Sequence, residues 1–172
     1  MRWMWIDRVL SLEPGKRLVA VKNVSLAEEH LHDHFAKDEP RGLAACPVMP
    51  ASLMIEGMAQ SAGVLVGHAT KFQEKVVLAK VSRAEVEADP TPGRTIRYTA
   101  EIDRMDATGA STKGVIDLLE PFTDAPARTI GRVDLMFAFL DRNLAGLDFP
   151  EHNFVFGEGF QTLLRTSGVA DP

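Results

Sequence analysis

The sequence predicts an α+β fold in which a curved antiparallel sheet wraps around one long central helix. Three observations lead there. Residues 50–69 (PASLMIEGMAQSAGVLVGHA) are a helix-length stretch with no polar face. Long β-rich runs follow it, separated by short turn-forming segments. One alternating run precedes it at 16–24.

Taken in order, the chain first makes a turn at Leu12-Glu13-Pro14-Gly15. The run KRLVAVKNV then sets Leu18, Ala20 and Lys22 on one side and Val19, Val21 and Asn23 on the other, the period of a strand. Ser25 is placed to cap a short helical turn through Ala27, Glu28 and Glu29, with acids at its positive end. Residues 30–50 read as a loop rich in proline, glycine and charge. Pro50 or Ala51 then stands near the first helical position, where the N–H that proline lacks would be unpaired anyway. In the helix itself Leu53, Met54, Ile55, Met58, Ala59, Ala62, Val64, Leu65 and Val66 cover almost every face. A helix that is apolar all round is buried all round. Its length is also that of a membrane span. Glu56, Gln60 and His68 within it, Pro47 and Pro50 before it and polar sequence on either side favour a buried core helix.

Residues 76–86, 95–105, 110–119 and 128–140 read as strands, with turns at 89–93, 107–109 and 121–126. Ile96, Tyr98, Ala100 and Ile102 share one face while Arg97, Thr99, Glu101 and Asp103 share the other, so one side of the sheet is dry and one wet. A helix without a polar face must be wrapped by such a sheet or held between the sheet and a partner subunit. This is the hotdog arrangement, assigned here to residues 1–145. Residues 146–172 form a C-terminal extension. Phe149, Phe154, Phe156, Phe160, Leu163 and Leu164 make it too apolar for a disordered end, and it is expected to pack on the domain or on an oligomer neighbour.

Composition narrows the function. A chain of 172 residues with 45% apolar content fits one domain with an ample core. A net charge of −5 argues against nucleic-acid binding through a broadly basic surface. The single cysteine, Cys46, leaves no intrachain disulfide framework and suits a reducing compartment. The opening MRWMWIDRVL is no signal peptide, because Asp7 and Arg8 break its apolar run. A cytoplasmic location is expected.

Two groups carry the chemistry. Glu56 lies near the start of the apolar helix with Gln60 one turn later on the same face. A carboxylate there is costly unless paired, hydrogen-bonded or protonated. Removal from water favours the protonated form of a carboxyl group, and a carboxyl that holds its proton near neutrality is a general acid. The second group is HLHDHF, in which His30, His32 and His34 recur at every second position and would point one way if extended. A zinc site is disfavoured, since no further Cys or His lies nearby at ligand spacing. A surface cluster without a role fits His30 and His32. A histidine meeting Glu56 would supply a base that titrates near neutrality.

These segments resemble the FabZ/FabA-type β-hydroxyacyl-[acyl-carrier-protein] dehydratases. The resemblance runs through Met4-Trp5-Ile6-Asp7-Arg8-Val9-Leu10, the strand from Gly15-Lys16 to Ser25, the pair His34-Phe35, and the proline-led helix from Pro47 to Gly63 with Glu56 followed by Ala59-Gln60. It implies that His34 takes the α-proton of a 3-hydroxyacyl thioester and that Glu56 protonates the departing hydroxyl. The backbone N–H of Ala51 would bind the thioester oxygen, a role that the free donors and positive end of a helix N-terminus suit. Gln60, Phe35 and Pro50 would support the site. The resemblance also implies a homodimer whose sites take histidine and acid from opposite subunits, alone or as a trimer of such dimers. No metal or organic cofactor would be needed, because the acyl group arrives on the phosphopantetheine of acyl carrier protein or coenzyme A.

The chain departs from the family pattern in four places. Asp33 and Ala36 replace a glycine and a proline around His34-Phe35, and Ala51 replaces a glycine. The stretch 36–46 lengthens the loop between base and acid, and such loops often carry function. Two placements are expected on equal terms: over the mouth of an acyl tunnel, with Lys37 and Arg41 available to meet phosphates or carrier acids and Gly42 as a hinge, or as a surface elaboration packed on a neighbouring subunit. The segment 83–94 carries Glu85, Glu87 and Asp89 where an acidic carrier would prefer bases. Two other functions suit the same fold: an acyl thioesterase, in which the helix carboxylate activates water, and a catalytically silent relative.

Overall fold

The structure, a computed structural model, describes residues 3–33, 36–140 and 155–169. The elements are β1 (Arg8–Glu13), β2 (Arg17–Asn23), α1 (Glu29–Asp33), α2 (Ala51–Ala69), β3 (Val76–Val86), β4 (Thr95–Met105), β5 (Gly109–Leu119), β6 (Arg128–Phe139) and α3 (Glu158–Thr166). The six strands make one antiparallel sheet in the order β1-β2-β4-β5-β6-β3. β4, β5 and β6 follow one another as neighbours, whereas β3 pairs only with β6 at the far edge. The chain between β3 and β4 therefore crosses the sheet. It is tied down on the way by Met49 N–H to Pro90 O at 2.8 Å, and by Gly93 and Val24 at 2.9 Å. The crossing segment is thus the floor on which the start of α2 rests.

Alternation decides which face of the sheet is dry. Leu18 and Ala20 of β2, Ile96, Tyr98 and Ala100 of β4, Ala110 and Ile116 of β5, and Val133, Leu135 and Phe137 of β6 are buried on the side that α2 crosses. Two glycines let helix and sheet approach. A Cβ on Gly57 would strike the Tyr98 phenol and come within 2.8 Å of Trp5 O, and one on Gly114 would meet Met58 Sδ at 2.5 Å. Tyr98 fills the gap with its hydroxyl buried and without a hydrogen-bond partner among the described residues. Burial, reinforced by the carboxylates of Asp7 and Glu28, raises its phenol far above the ordinary value.

The far side of α2 is covered by the chain itself. Trp5 and Ile6 before β1 are buried, and Phe156, Leu163 and Leu164 of the C-terminal segment join the same core. Phe156 packs edge-on to Phe72 with ring centroids 4.9 Å apart, and Ser167 Oγ accepts from Val9 N–H at 3.0 Å.

Three expectations are corrected. A strand, β1, precedes β2, so the turn begins at Pro14 rather than Leu12. The stretch after Glu29 is helical through Asp33, so His30 and His32 are not on one side of an extended chain. The helix α2 is not buried all round: Ala51 and Ser52 are exposed and Leu53, Ile55 and Glu56 are half-buried, while most of the rest is buried. Among the described residues no helix is long and apolar enough to cross a membrane.

The close approach at Gly57 can be tested. Gly57→Ala overpacks the helix against a ring and a backbone carbonyl, which costs about 1–3 kcal/mol, and the urea midpoint is expected to fall with unchanged slope. An unchanged midpoint would mean that Tyr98 moves aside freely.

Candidate active site

Pro50 is the N-cap of α2, extended at ψ 145°, and its carbonyl accepts from Leu53 N–H at 3.0 Å and Met54 N–H at 3.2 Å. Ala51 is the first helical residue. It is exposed, and its N–H has no partner among the described residues. One and a half turns later Glu56 emerges half-buried. Its Oε1 accepts from Gln60 Nε2 and from Trp3 Nε1, both at 3.0 Å. Oε2 has no partner among the described residues. Two neutral donors thus fix one oxygen of the carboxyl group and leave the other to whatever enters the site.

Gln60 is the centre of this arrangement. Its carboxamide oxygen accepts from Trp5 N–H at 2.8 Å, while Nε2 reaches both Trp3 O at 3.2 Å and Glu56. One side chain therefore ties the segment before β1 to α2 and aims the acid. The aromatic rings continue from there. Trp3 meets Trp5 edge-on at 5.3 Å, and Trp5 meets His30 of α1 at 4.9 Å. The start of α1 thus contacts Trp5, which packs on the Trp3 that bonds Glu56.

A buried ion network fixes the approach to α1. Lys22, on the dry face of β2, has its ammonium 2.5 Å from Glu28 Oε1, 3.2 Å from Asp7 Oδ1 and 2.9 Å from Asn23 O. Asp7 Oδ2 in turn accepts from Asn23 N–H at 2.7 Å. The segment before β1, the strand β2 and the turn into α1 are locked together.

Glu56 opens onto a cavity of about 220 Å³ walled by Ala59, Gln60 and Gly63 of α2, Leu78 of β3, Phe137 of β6, Trp3, and Val155, Phe156 and Phe160. Apart from Glu56, Gln60 and the Trp3 N–H, its side chains are apolar.

The sequence-predicted residues divide as follows. Glu56 and Gln60 are hydrogen-bonded to each other, and Pro50 and Ala51 form the helix start below them. His34 and Phe35 lie outside the described residues. None of residues 36–46 lines the Glu56 cavity. Within that loop Asp38 and Leu43 exchange backbone hydrogen bonds at 3.0 Å, and Gly42 takes the left-handed conformation at φ 64°. Lys37 pairs with Glu39 at 2.7 Å and Arg41 with Asp38 at 3.2 Å, so both bases meet acids of their own loop. Trp3, Trp5 and Lys22 were not expected at the site. A lysine on the apolar side of the alternation in β2 was the one available signal.

One six-stranded antiparallel sheet with a long helix packed across it is the hotdog fold. Solved structures with the same fold include the dehydratase heterocomplex ApeI:P from Xenorhabdus doucetiae, at TM-score 0.59 and 16% identity over 81% of this chain and 85% of that one. A thioesterase family protein from Silicibacter pomeroyi aligns at TM-score 0.56 and 14% identity over 77% of this chain and 83% of that one. The model of the FabA-like domain matches residues 2–118. A 3-hydroxyacyl-[acyl-carrier-protein] dehydratase FabZ from Ruminiclostridium cellulolyticum is 33% identical over 118 residues, covering 67% of this chain and 78% of the relative. The namesake from Clostridium kluyveri is 30% identical over 142 residues, 82% of this chain and 88% of the relative. The chain belongs to the FabA-like family, that of the FabZ-type dehydratases.

The Gln60 clamp predicts an asymmetry between its two neighbours. Gln60→Leu strands the buried Trp5 N–H and is expected to cost about 1–3 kcal/mol. Trp3→Phe removes a donor at an exposed position and is expected to cost no more than about 1 kcal/mol. Chemical denaturation of both variants checks this, and equal losses would contradict it.

Proposed function

We propose that the protein dehydrates 3-hydroxyacyl thioesters to trans-2-enoyl thioesters in fatty-acid synthesis. The observation that supports this best is the Glu56 carboxyl group, clamped on one oxygen and facing an apolar cavity, on a helix whose first N–H, at Ala51, has no partner among the described residues, in a chain of this family. The acyl group arrives on a phosphopantetheine arm, delivered by acyl carrier protein, with coenzyme A as the second carrier that presents the same arm.

The chemistry needs two proton transfers and one stabilised oxygen. His34 accepts the α-proton, and the electron pair of that C–H bond becomes the new C=C bond. The Cβ–O bond breaks, and the hydroxyl leaves as water with the proton of Glu56. The Ala51 N–H, five residues before Glu56 and about 7.5 Å back along the axis, holds the thioester oxygen while negative charge builds on it. A donor at a helix N-terminus is worth most in a water-excluded site. The histidine ends protonated and the acid deprotonated, and exchange with solvent resets both. No metal or organic cofactor is required.

His34→Ala and Glu56→Gln are each expected to lower dehydration by about 10²–10⁴-fold with the circular dichroism spectrum unchanged. Full activity in either folded variant would remove that residue from the mechanism. The hotdog neighbours that include a thioesterase family protein give the second reading, hydrolysis by water activated at Glu56. Thiol release that survives His34→Ala would favour it.

The working unit is proposed to be a homodimer or a multiple of one. β3 is an eleven-residue edge strand whose residues 78–85 are all exposed, with Leu78 and Val81 among them. A long open edge is a template for another strand, and a second copy would also cover these side chains. Light scattering at micromolar concentration is expected to give at least twice the chain mass, and a monodisperse monomer would contradict the dimer. If histidine and acid come from opposite subunits, random reassociation of His34→Ala with Glu56→Gln should recover about a quarter of wild-type activity, since an isologous heterodimer keeps one of two sites.

A further inference from the structure

The C-terminal segment has no place in the mechanism, yet it walls the site. Val155, Phe156 and Phe160 line the Glu56 cavity, although all three lie beyond residues 2–118 matched by the family model. Their positions are held by packing on both sides. Phe156 is buried against Phe72 and fills the space left by Gly67. Leu163 and Leu164 are buried in the core, and Ser167 is bonded to β1. Phe160 sits between these anchors, edge-on to Phe156 at 5.9 Å, and is only half-buried.

A second cavity, of about 290 Å³, lies on the other side of Phe160. It is walled by Met4, Gly157, Glu158 and Gly159 together with Trp3, Val155 and Phe160. Trp3, Val155 and Phe160 line both spaces, so the two adjoin at these side chains. Trp3 is held by its hydrogen bond to Glu56. Phe160 makes no polar contact through its side chain, and the glycines at 157 and 159 leave the second space open beside it.

We infer that Phe160 is the end wall of the acyl pocket and sets the length of 3-hydroxyacyl chain that the protein accepts. This rests on the proposed dehydratase activity. The substrate's β-hydroxyl must reach Glu56, so the carbons beyond it enter the apolar space that Glu56 faces. That space is about 220 Å³, and Phe160 is one of its walls. A chain too long for it would extend past Phe160 into the adjoining space. Each methylene admitted or refused by an apolar pocket is worth roughly 10–200-fold in kcat/KM.

The test compares kcat/KM for 3-hydroxybutyryl, 3-hydroxyoctanoyl and 3-hydroxydodecanoyl coenzyme A thioesters in the full-length wild type, Phe160→Ala, Phe160→Leu and Phe160→Trp, with folding checked by circular dichroism. The dodecanoyl-to-butyryl ratio is expected to rise in the order Trp, Phe, Leu, Ala, by about tenfold from wild type to Phe160→Ala. If Phe160→Ala does not fold, Phe160→Leu and Phe160→Trp decide by the same ordering. A ratio that stays within about threefold across the folded variants, or a different order, overturns the inference while leaving the dehydratase reading intact. Absence of enoyl formation by the wild type from all three acyl groups, on coenzyme A and on acyl carrier protein alike, overturns both.

Discussion

The structure depends on reconciling a carboxyl group with a helix that otherwise belongs to the core. The helix α2 approaches the sheet so closely that Gly57 leaves no room for a methyl group beneath it. Nothing on the sheet side serves Glu56. The reconciliation comes from the other side, through Gln60. Its carboxamide satisfies the buried Trp5 N–H with its oxygen and donates to Trp3 O and Glu56 with its nitrogen. An amide can do this because it carries donors and an acceptor at fixed separation. Neither an acid nor a hydrocarbon could take all of these contacts at once.

From that clamp the rest of the site follows. The segment carrying Trp3 and Trp5 lies on α2 and reaches His30 through ring contacts, while Lys22 joins Asp7 and Glu28 beneath it. The acid on α2 and the entry to the histidine loop are therefore referred to one common segment. The buried Lys22 ammonium is met by Glu28, by the more exposed Asp7 and by Asn23 O, and so holds these segments together. Rigid placement of this kind is what acid–base chemistry needs, since a misplacement of about 1 Å can cost 10²-fold.

Much of this was legible in the sequence, for physical reasons that differ by element. β4 announces itself because Ile96, Tyr98, Ala100 and Ile102 alternate with charged residues across a sheet that is dry on one side. Glu56 and Gln60 stand out because they interrupt an apolar helix. β1 was missed because it is short, charged at both ends, and shifts register between Val9 and Ser11, which blurs its alternation. The helix α1 was missed because five residues give no periodicity to read. Trp3 was invisible for another reason. Its partner Glu56 is 53 positions away, and no local pattern encodes a contact that only the packed fold creates. The meeting of Trp3 and Phe160 at both cavities is of the same kind, since these residues are far apart in sequence.

The central claim is that the Glu56 site eliminates water from a 3-hydroxyacyl thioester without cleaving the thioester. The most direct measurement follows both products in one reaction of the wild-type protein with a 3-hydroxyacyl coenzyme A: enoyl thioester by its ultraviolet absorbance and free thiol by a chromogenic disulfide. The account predicts enoyl absorbance rising to equilibrium with no thiol released. Thiol release without enoyl formation would contradict it.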